Sequence, residues 1–133
     1  MKKIINSLLL LVIIGVAVLF FVLDPAKHEI FPQCLFHSLT GGYCPGCGSQ
    51  RALHSLLHLD FVGVVGYNFL FLPAALFILY HYSHPILNKA FGWKLPNLFY
   101  QKYTPWVVLI IVILFWIARN LPWYPFNVLA PEG

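Results

Sequence analysis

Along the chain, long apolar runs alternate with short polar, turn-forming stretches, and the runs are of membrane length. From Ile4 to Leu23 about twenty residues pass without a charge, enough at roughly 1.5 Å per helical residue to cross a hydrocarbon core of about 30 Å. Met1-Lys2-Lys3 ahead of this run resembles the n-region of a signal peptide, but no small-x-small cleavage site separates the run from Asp24-Pro25, which predicts an uncleaved anchor. A second run, Phe61 to Tyr82, is broken by Gly63, Gly66, Asn68 and Pro73. Its latter part, from about Asn68, reads as a membrane helix and Phe61 to Tyr67 as an interfacial segment. The third run opens on Thr104-Pro105, an N-cap followed by proline at the first helical position, and stays apolar to Ala118 before Arg119-Asn120-Leu121-Pro122 ends it. Spans near 4–23, 66–83 and 104–121 predict an all-α membrane protein with three transmembrane helices, one integral membrane domain over 1–133, and an outer loop at 24–60. Within that loop, from Ser49 to Leu59, Arg51, His54, Ser55 and His58 project to one side and Ala52, Leu53, Leu56 and Leu57 to the other. The spacing predicts a short amphipathic helix at the outer interface.

Composition turns the membrane from a reading into a requirement. The chain is 60% hydrophobic and 9% charged, against about 25% charged in soluble domains, and so few charged side chains cannot make a water-facing shell. The net charge of +4 comes from lysines and arginines scattered at segment ends. They form no basic stripe, so nucleic acid is not an expected partner; the lipid bilayer is. Lys2, Lys3, Lys89, Lys94 and Lys102 fall on one side of the spans, and Lys27, Arg51 and Arg119 on the other together with Asp24, Glu29 and Asp60. This bias predicts a multi-pass protein with a cytoplasmic N-terminus and all its cysteines facing an oxidising compartment. Trp93, Trp106, Trp116 and Trp123 lie near segment ends, as interfacial aromatic belts do. Hydrolase and kinase readings fall, because the chain has no Gly-x-Ser-x-Gly, Walker or His-Glu-x-x-His pattern and no adjacent carboxylate pair.

The stretch from Gly41 to Arg51 is unlike its surroundings: glycine-rich, turn-forming, and carrying Cys44 and Cys47, with Cys34 shortly before it. Grouped in this way, the three cysteines read as one local site. Cys47 lies one turn before Arg51 at the start of the amphipathic helix, where unsatisfied N–H groups favour a thiolate or an anion. The stretch Cys44-Pro45-Gly46-Cys47-Gly48-Ser49-Gln50-Arg51-Ala52, followed by Leu56-Leu57-His58-Leu59-Asp60 and Asn68, resembles the bacterial membrane family called domain of unknown function 2752. That family's pattern is Cys-Pro-x-Cys-Gly-x-Thr-Arg-Ala, then Leu-Leu-x-Gly-Asp, then Asn-Pro, often with Arg-Asn closing the last helix, as Arg119-Asn120 does here. Gln50 stands where the pattern has Thr, Leu59 where it has Gly, and Phe69 where it has Pro. The resemblance implies a topology and a bacterial inner-membrane setting, but no reaction.

Four readings of the motif stay open. In the first, Cys44 and Cys47 are a redox pair beside the cation Arg51, one of them the attacking thiol and Cys34 the resolving partner. In the second, Cys44 and Cys47 supply two of the four ligands of a zinc site; Cys34 and His37 are the sterically better additional ligands, since His54 and His58 stand about 10 and 16 Å along the helix axis from Cys47. In the third, an anionic lipid headgroup or partner membrane protein meets an outer-face polar cluster of Arg51, Asp60, Asn68 and Arg119. In the fourth, Cys44 and Cys47 are a structural clip, Arg51 pairs with Asp60 and Arg119 snorkels. Neither redox nor zinc chemistry is complete in this chain, which predicts a membrane or periplasmic protein partner.

Overall fold

The structure, a computed structural model, describes residues 2–28 and 30–130, with the backbone alone at 2 and 3. Glu29 and the Lys2 and Lys3 side chains, which entered the charge bias, lie outside the described residues. The chain is all-helical: α1 (Lys2–Val22), α2 (Leu35–Thr40), α3 (Ser49–Leu57), α4 (Phe61–Tyr67), α5 (Phe71–Phe91) and α6 (Thr104–Ala118), with 3-10 turns at Leu98–Tyr100 and Phe126–Leu129 and no strand among the described residues.

Within α1, Ile4–Val22 is the single described helix long and apolar enough by itself to cross a membrane, where the apolar runs predict three such helices. The second expected span, 66–83, is displaced. Asn68 adopts extended φ −158 and ψ 100 and ends α4, so the helix begins at Phe71 and runs on to Phe91 past His81, His84, Asn88 and Lys89, which dilute its hydropathy. Together α4 and α5 pass as a pair bent by 111°. α6 is apolar throughout but stops at Ala118 after 15 residues, about 22 Å of helix, because Arg119 and Asn120 leave the expected 104–121 run to bond elsewhere.

Beside the end of α1, α3 and α4 make a tight corner. α3 stops two residues short of the expected Leu59, since Leu59 takes φ +59 and reverses the chain. The Asp60 N–H then donates to the Ser55 carbonyl at 2.9 Å, and the Asp60 carboxylate caps α4 by accepting the Gly63 N–H at 2.9 Å. A Cβ at position 63 would collide with the Asp60 carboxylate and the Ser55 hydroxyl, so the corner requires glycine here. Ala52 and Val64 are wholly buried between the two helices. On the other face of α3, His54 Nδ1 lies 2.7 Å from the Phe20 carbonyl, and the His58 ring stacks on Phe21 at 4.4 Å. These histidines, which the spacing puts on the polar side of an amphipathic helix, tie α3 to the end of α1.

Besides the α3–α4 corner, burial gathers around the cysteine loop. The long helices expose most of their apolar side chains, while Cys47, Asn68, Phe115 and Arg119 are buried together around the cysteine loop.

Candidate functional site

Two glycines in the left-handed region frame the loop: Gly41 at φ +72 ends α2 and Gly48 at φ +82 opens α3. Between them the chain makes two tight turns, with the Cys47 N–H donating to the Cys44 carbonyl and the Ser49 N–H to the Gly46 carbonyl, both at 3.1 Å. The turns point the sulfurs one way and leave the carbonyls of Cys44, Pro45 and Cys47 facing the other. The Cys44 N–H donates to Cys47 Sγ at 3.2 Å, and the two Sγ atoms are themselves 3.2 Å apart. Cys34, immediately before α2, brings its Sγ to 3.3 Å from that of Cys44. All three sulfurs lie within 4.8 Å of one another. They are free thiols, well beyond the roughly 2.05 Å of a disulfide bond.

The carbonyl side of the loop is clamped from two distant elements. From the α4–α5 break, Asn68 Nδ2 donates to the carbonyls of Pro45 at 3.0 Å and Cys47 at 3.3 Å, while its Oδ1 accepts the Leu70 N–H at 3.1 Å. From the end of α6, Arg119 Nη1 donates to the Cys44 carbonyl at 2.8 Å and to Pro45 at 3.3 Å, and Nη2 to Cys47 at 3.2 Å. Its guanidinium also lies over the Phe115 ring at 4.9 Å and near Tyr43 at 5.8 Å. Asn120 completes the clamp: its Oδ1 accepts the Tyr43 N–H and its Nδ2 donates to the Tyr43 carbonyl, both at 2.8 Å. Arg119 is 1% exposed and Asn68 2%. A buried guanidinium needs acceptors, and a glycine–proline turn leaves carbonyls without ladder partners, so the two Nη atoms and the carbonyls satisfy one another, while the buried Nε has no partner among the described residues.

Of the four residues expected to form a polar cluster, Asn68 and Arg119 share the carbonyls of Pro45 and Cys47. The other two have different placements. Asp60 caps α4, and Arg51 sets its guanidinium 5.9 Å from the Tyr67 ring on the rim of a cleft. His37 is turned from the sulfurs, its Nδ1 3.2 Å from the Gly42 carbonyl and its ring stacked on Tyr43 at 4.7 Å. Among the described residues the group that could hold a metal ion is therefore Cys34, Cys44 and Cys47; of the two further ligands expected from sequence, Cys34 joins the pair and His37 does not.

Charge is distributed unevenly over the thiols. Burial pushes the Cys47 thiol up to about 12, and its hydrogen bonds to Cys34 and Cys44 add to the effect. That overturns the expectation that the helix start would favour a Cys47 thiolate, since at 7% exposure desolvation outweighs the few oriented N–H groups. Cys34 is brought down to about 7, chiefly by its hydrogen bond with Cys47. Of these two thiols, Cys34 is therefore the first to ionise. Over the sulfurs opens a cleft of about 710 Å³, lined among others by Lys27, Phe31, Cys34, Tyr43, Cys47 and Arg51.

Zn–S bonds of about 2.3 Å in tetrahedral geometry place thiolates about 3.8 Å apart, and the sulfur separations here, 3.2 Å at the closest and none beyond 4.8 Å, bracket that value. The described residues thus form an all-helical fold with one candidate membrane span and a clamped three-cysteine loop. Residues 34–82 match the model of the family described as Protein of unknown function (DUF2752), which bears out the resemblance read from Cys44 to Asn68. No curated protein and no solved structure matches the chain. The matched stretch opens at Cys34 and contains every cysteine and Asn68, whereas Arg119 and Asn120 come from beyond it. Asn120 and Tyr43 are the residues that sequence reasoning missed; the polar Arg-Asn pair closing an apolar helix was the available signal.

Proposed function

We propose that this is a membrane-anchored protein that binds a soft divalent metal ion, zinc in the first instance, through the thiolates of Cys34, Cys44 and Cys47. The observation that carries the proposal is the convergence of three sulfurs from two chain segments within 4.8 Å. The clamp of Asn68, Arg119 and Asn120 supports it in two ways: it fixes the loop that presents Cys44 and Cys47, and it sets a positive charge behind a group of thiolates. The setting proposed with it is a bacterial inner membrane, with α1, α5 and α6 as spans, a cytoplasmic N-terminus, the cysteine loop on the outer face, and a membrane or periplasmic protein as partner.

Metal analysis of the full chain purified in detergent under reducing conditions tests this. One equivalent of zinc, lost when any of Cys34, Cys44 or Cys47 is changed to Ser, is the expected result; a reduced protein that takes up no zinc, cobalt or cadmium overturns it. A thiol–disulfide reading is favoured by a separate observation, the 3.2 Å approach of Cys44 and Cys47 beside a Cys34 thiol brought down to about 7. Headgroup recognition through Arg119 is less well supported, because both of its Nη atoms are directed at loop carbonyls.

A further inference from the structure

We infer that the site keeps its fourth coordination position for a low-molecular-weight thiol that enters through the cleft above the sulfurs. This rests on the metal reading given above. Structural zinc sites are closed by four protein ligands, and sites that work on a ligand hold three and leave one position open. Here the described residues supply three. The nearest further donor by sequence, His37, is oriented toward Gly42 and Tyr43.

The open side leads into the cleft of about 710 Å³, within the roughly 300–1,000 Å³ of small-molecule sites. Three thiolates around a divalent ion carry one net negative charge, which the Arg119 guanidinium behind the loop offsets. A further anionic ligand then meets Lys27 and Arg51 on the cleft wall, where the described lining has no carboxylate; Asp24, just outside it, pairs with Lys27 at 3.2 Å. A soft sulfur donor set favours a soft fourth ligand over water. Binding breaks the S–H bond of the incoming thiol and forms a sulfur–metal bond, and the proton leaves to solvent. No electron changes hands.

The test uses the full-length protein in detergent, loaded with Co²⁺ so that its visible spectrum reports the number of sulfur ligands, and titrated with glutathione or 2-mercaptoethanol while released protons are counted. The expected result is a three-sulfur cobalt spectrum that moves saturably toward a four-sulfur one, with one proton released per thiol bound. Lys27→Glu should weaken glutathione, which is anionic, several-fold more than 2-mercaptoethanol. A cobalt spectrum that no thiol moves, or cobalt stripped from the protein without a four-sulfur intermediate, overturns the inference and leaves the metal reading standing. Failure of the reduced protein to take up cobalt overturns both.

Discussion

Arg119 and Cys44 meet across 75 positions of sequence, the guanidinium Nη1 donating to the Cys44 carbonyl at 2.8 Å. The cation at the end of α6 thereby acts on the sulfur site without touching a sulfur. It holds the backbone from which two of the sulfurs are presented. A lysine cannot do this, because one ammonium does not span three carbonyls that a planar fork reaches together. Arg119→Leu should cost about 1 kcal/mol for each hydrogen bond lost, since the Cys44 carbonyl keeps the Cys47 N–H and the Pro45 and Cys47 carbonyls keep Asn68, and should abolish metal uptake. Arg119→Lys should recover part of the thermal stability but bind cobalt with an altered spectrum. Unfolding in detergent and cobalt titration of both variants check this, and a Leu variant unchanged in both measurements removes Arg119 from the clamp.

Asn120 offers a cleaner test, because its two bonds to Tyr43 have opposite polarity. The amide both accepts from the Tyr43 N–H and donates to the Tyr43 carbonyl at 2.8 Å. Asn120→Asp keeps the acceptor and turns the donor into a second acceptor facing a carbonyl. The expected outcome is faster amide exchange at Tyr43 and Cys44 and weaker metal retention, while Asn120→Gln, with the same polarity on a longer arm, falls between. Exchange rates equal to wild type in the Asp variant would mean that the clamp contributes nothing.

What could be read from sequence was local. The apolar run of α1, the amphipathic face of α3 and the glycine-framed loop follow from spacing and turn chemistry within a few residues. So does the chance of Cys34 joining Cys44, which needs only a glycine-rich stretch to fold back. The contact between Tyr43 and Asn120 lies 77 positions apart, and no periodicity reports where a helix end will dock. The burial of Cys47 was hidden for the same reason: it results from Asn68 and Arg119 closing underneath the loop. His54 and His58 look like a wetted polar face until the end of α1 is placed against them.

Leu59 carries a backbone cost that the sequence also points to. Among the described residues it is the one non-glycine at positive φ, +59, where the family pattern has Gly, and its side chain is 74% exposed. Little packing is lost when it is removed. Leu59→Gly should stabilise the α3–α4 corner by about 1 kcal/mol, the left-handed penalty less the entropy that glycine loses on folding. Gly63→Ala in the same corner should do the opposite, since its Cβ meets the Asp60 carboxylate and the Ser55 hydroxyl. Chemical denaturation of the two variants reads both signs, and a destabilised Leu59→Gly refutes the argument.

The metal-free thiols should titrate in a fixed order. Cys34, drawn from 9.0 down to about 7, should be alkylated by iodoacetamide with a midpoint near pH 7, and Cys47, at about 12, should stay unreactive through the neutral range. The sign of the linkage follows: a thiol whose folded pKa is depressed adds stability above its unfolded value, and that contribution falls away between about 9 and 7 as the pH drops. Cys47→Ser should raise the Cys34 midpoint by weakening its principal hydrogen bond. Alkylation of Cys47 ahead of Cys34, read by peptide mass spectrometry, contradicts this account of the site.

Membrane topology is decided by two lysines. In the proposed arrangement Lys27 follows the first span on the outer side and Lys94 joins the second and third spans on the inner side. Both are exposed, so reagent access at either position reports sidedness and not burial. In a background with Cys34, Cys44 and Cys47 changed to Ser, a membrane-impermeant maleimide added to cells with a permeabilised outer membrane should label Lys27→Cys. Lys94→Cys should react only after the inner membrane is broken. If α1 were the one span, with α4, α5 and α6 lying on the outer surface, both positions would label from outside. That outcome would leave the cysteine loop on the outer face and remove the three-span proposal. Labelling of Lys94→Cys alone would invert the protein and place the thiols in the reducing compartment, where a site of free thiolates holding a soft metal needs no protection from oxidation. The charge bias that favours the first outcome rests on five lysines against three basic residues, a margin small enough that Lys89→Glu with Lys94→Glu should measurably mix the two orientations.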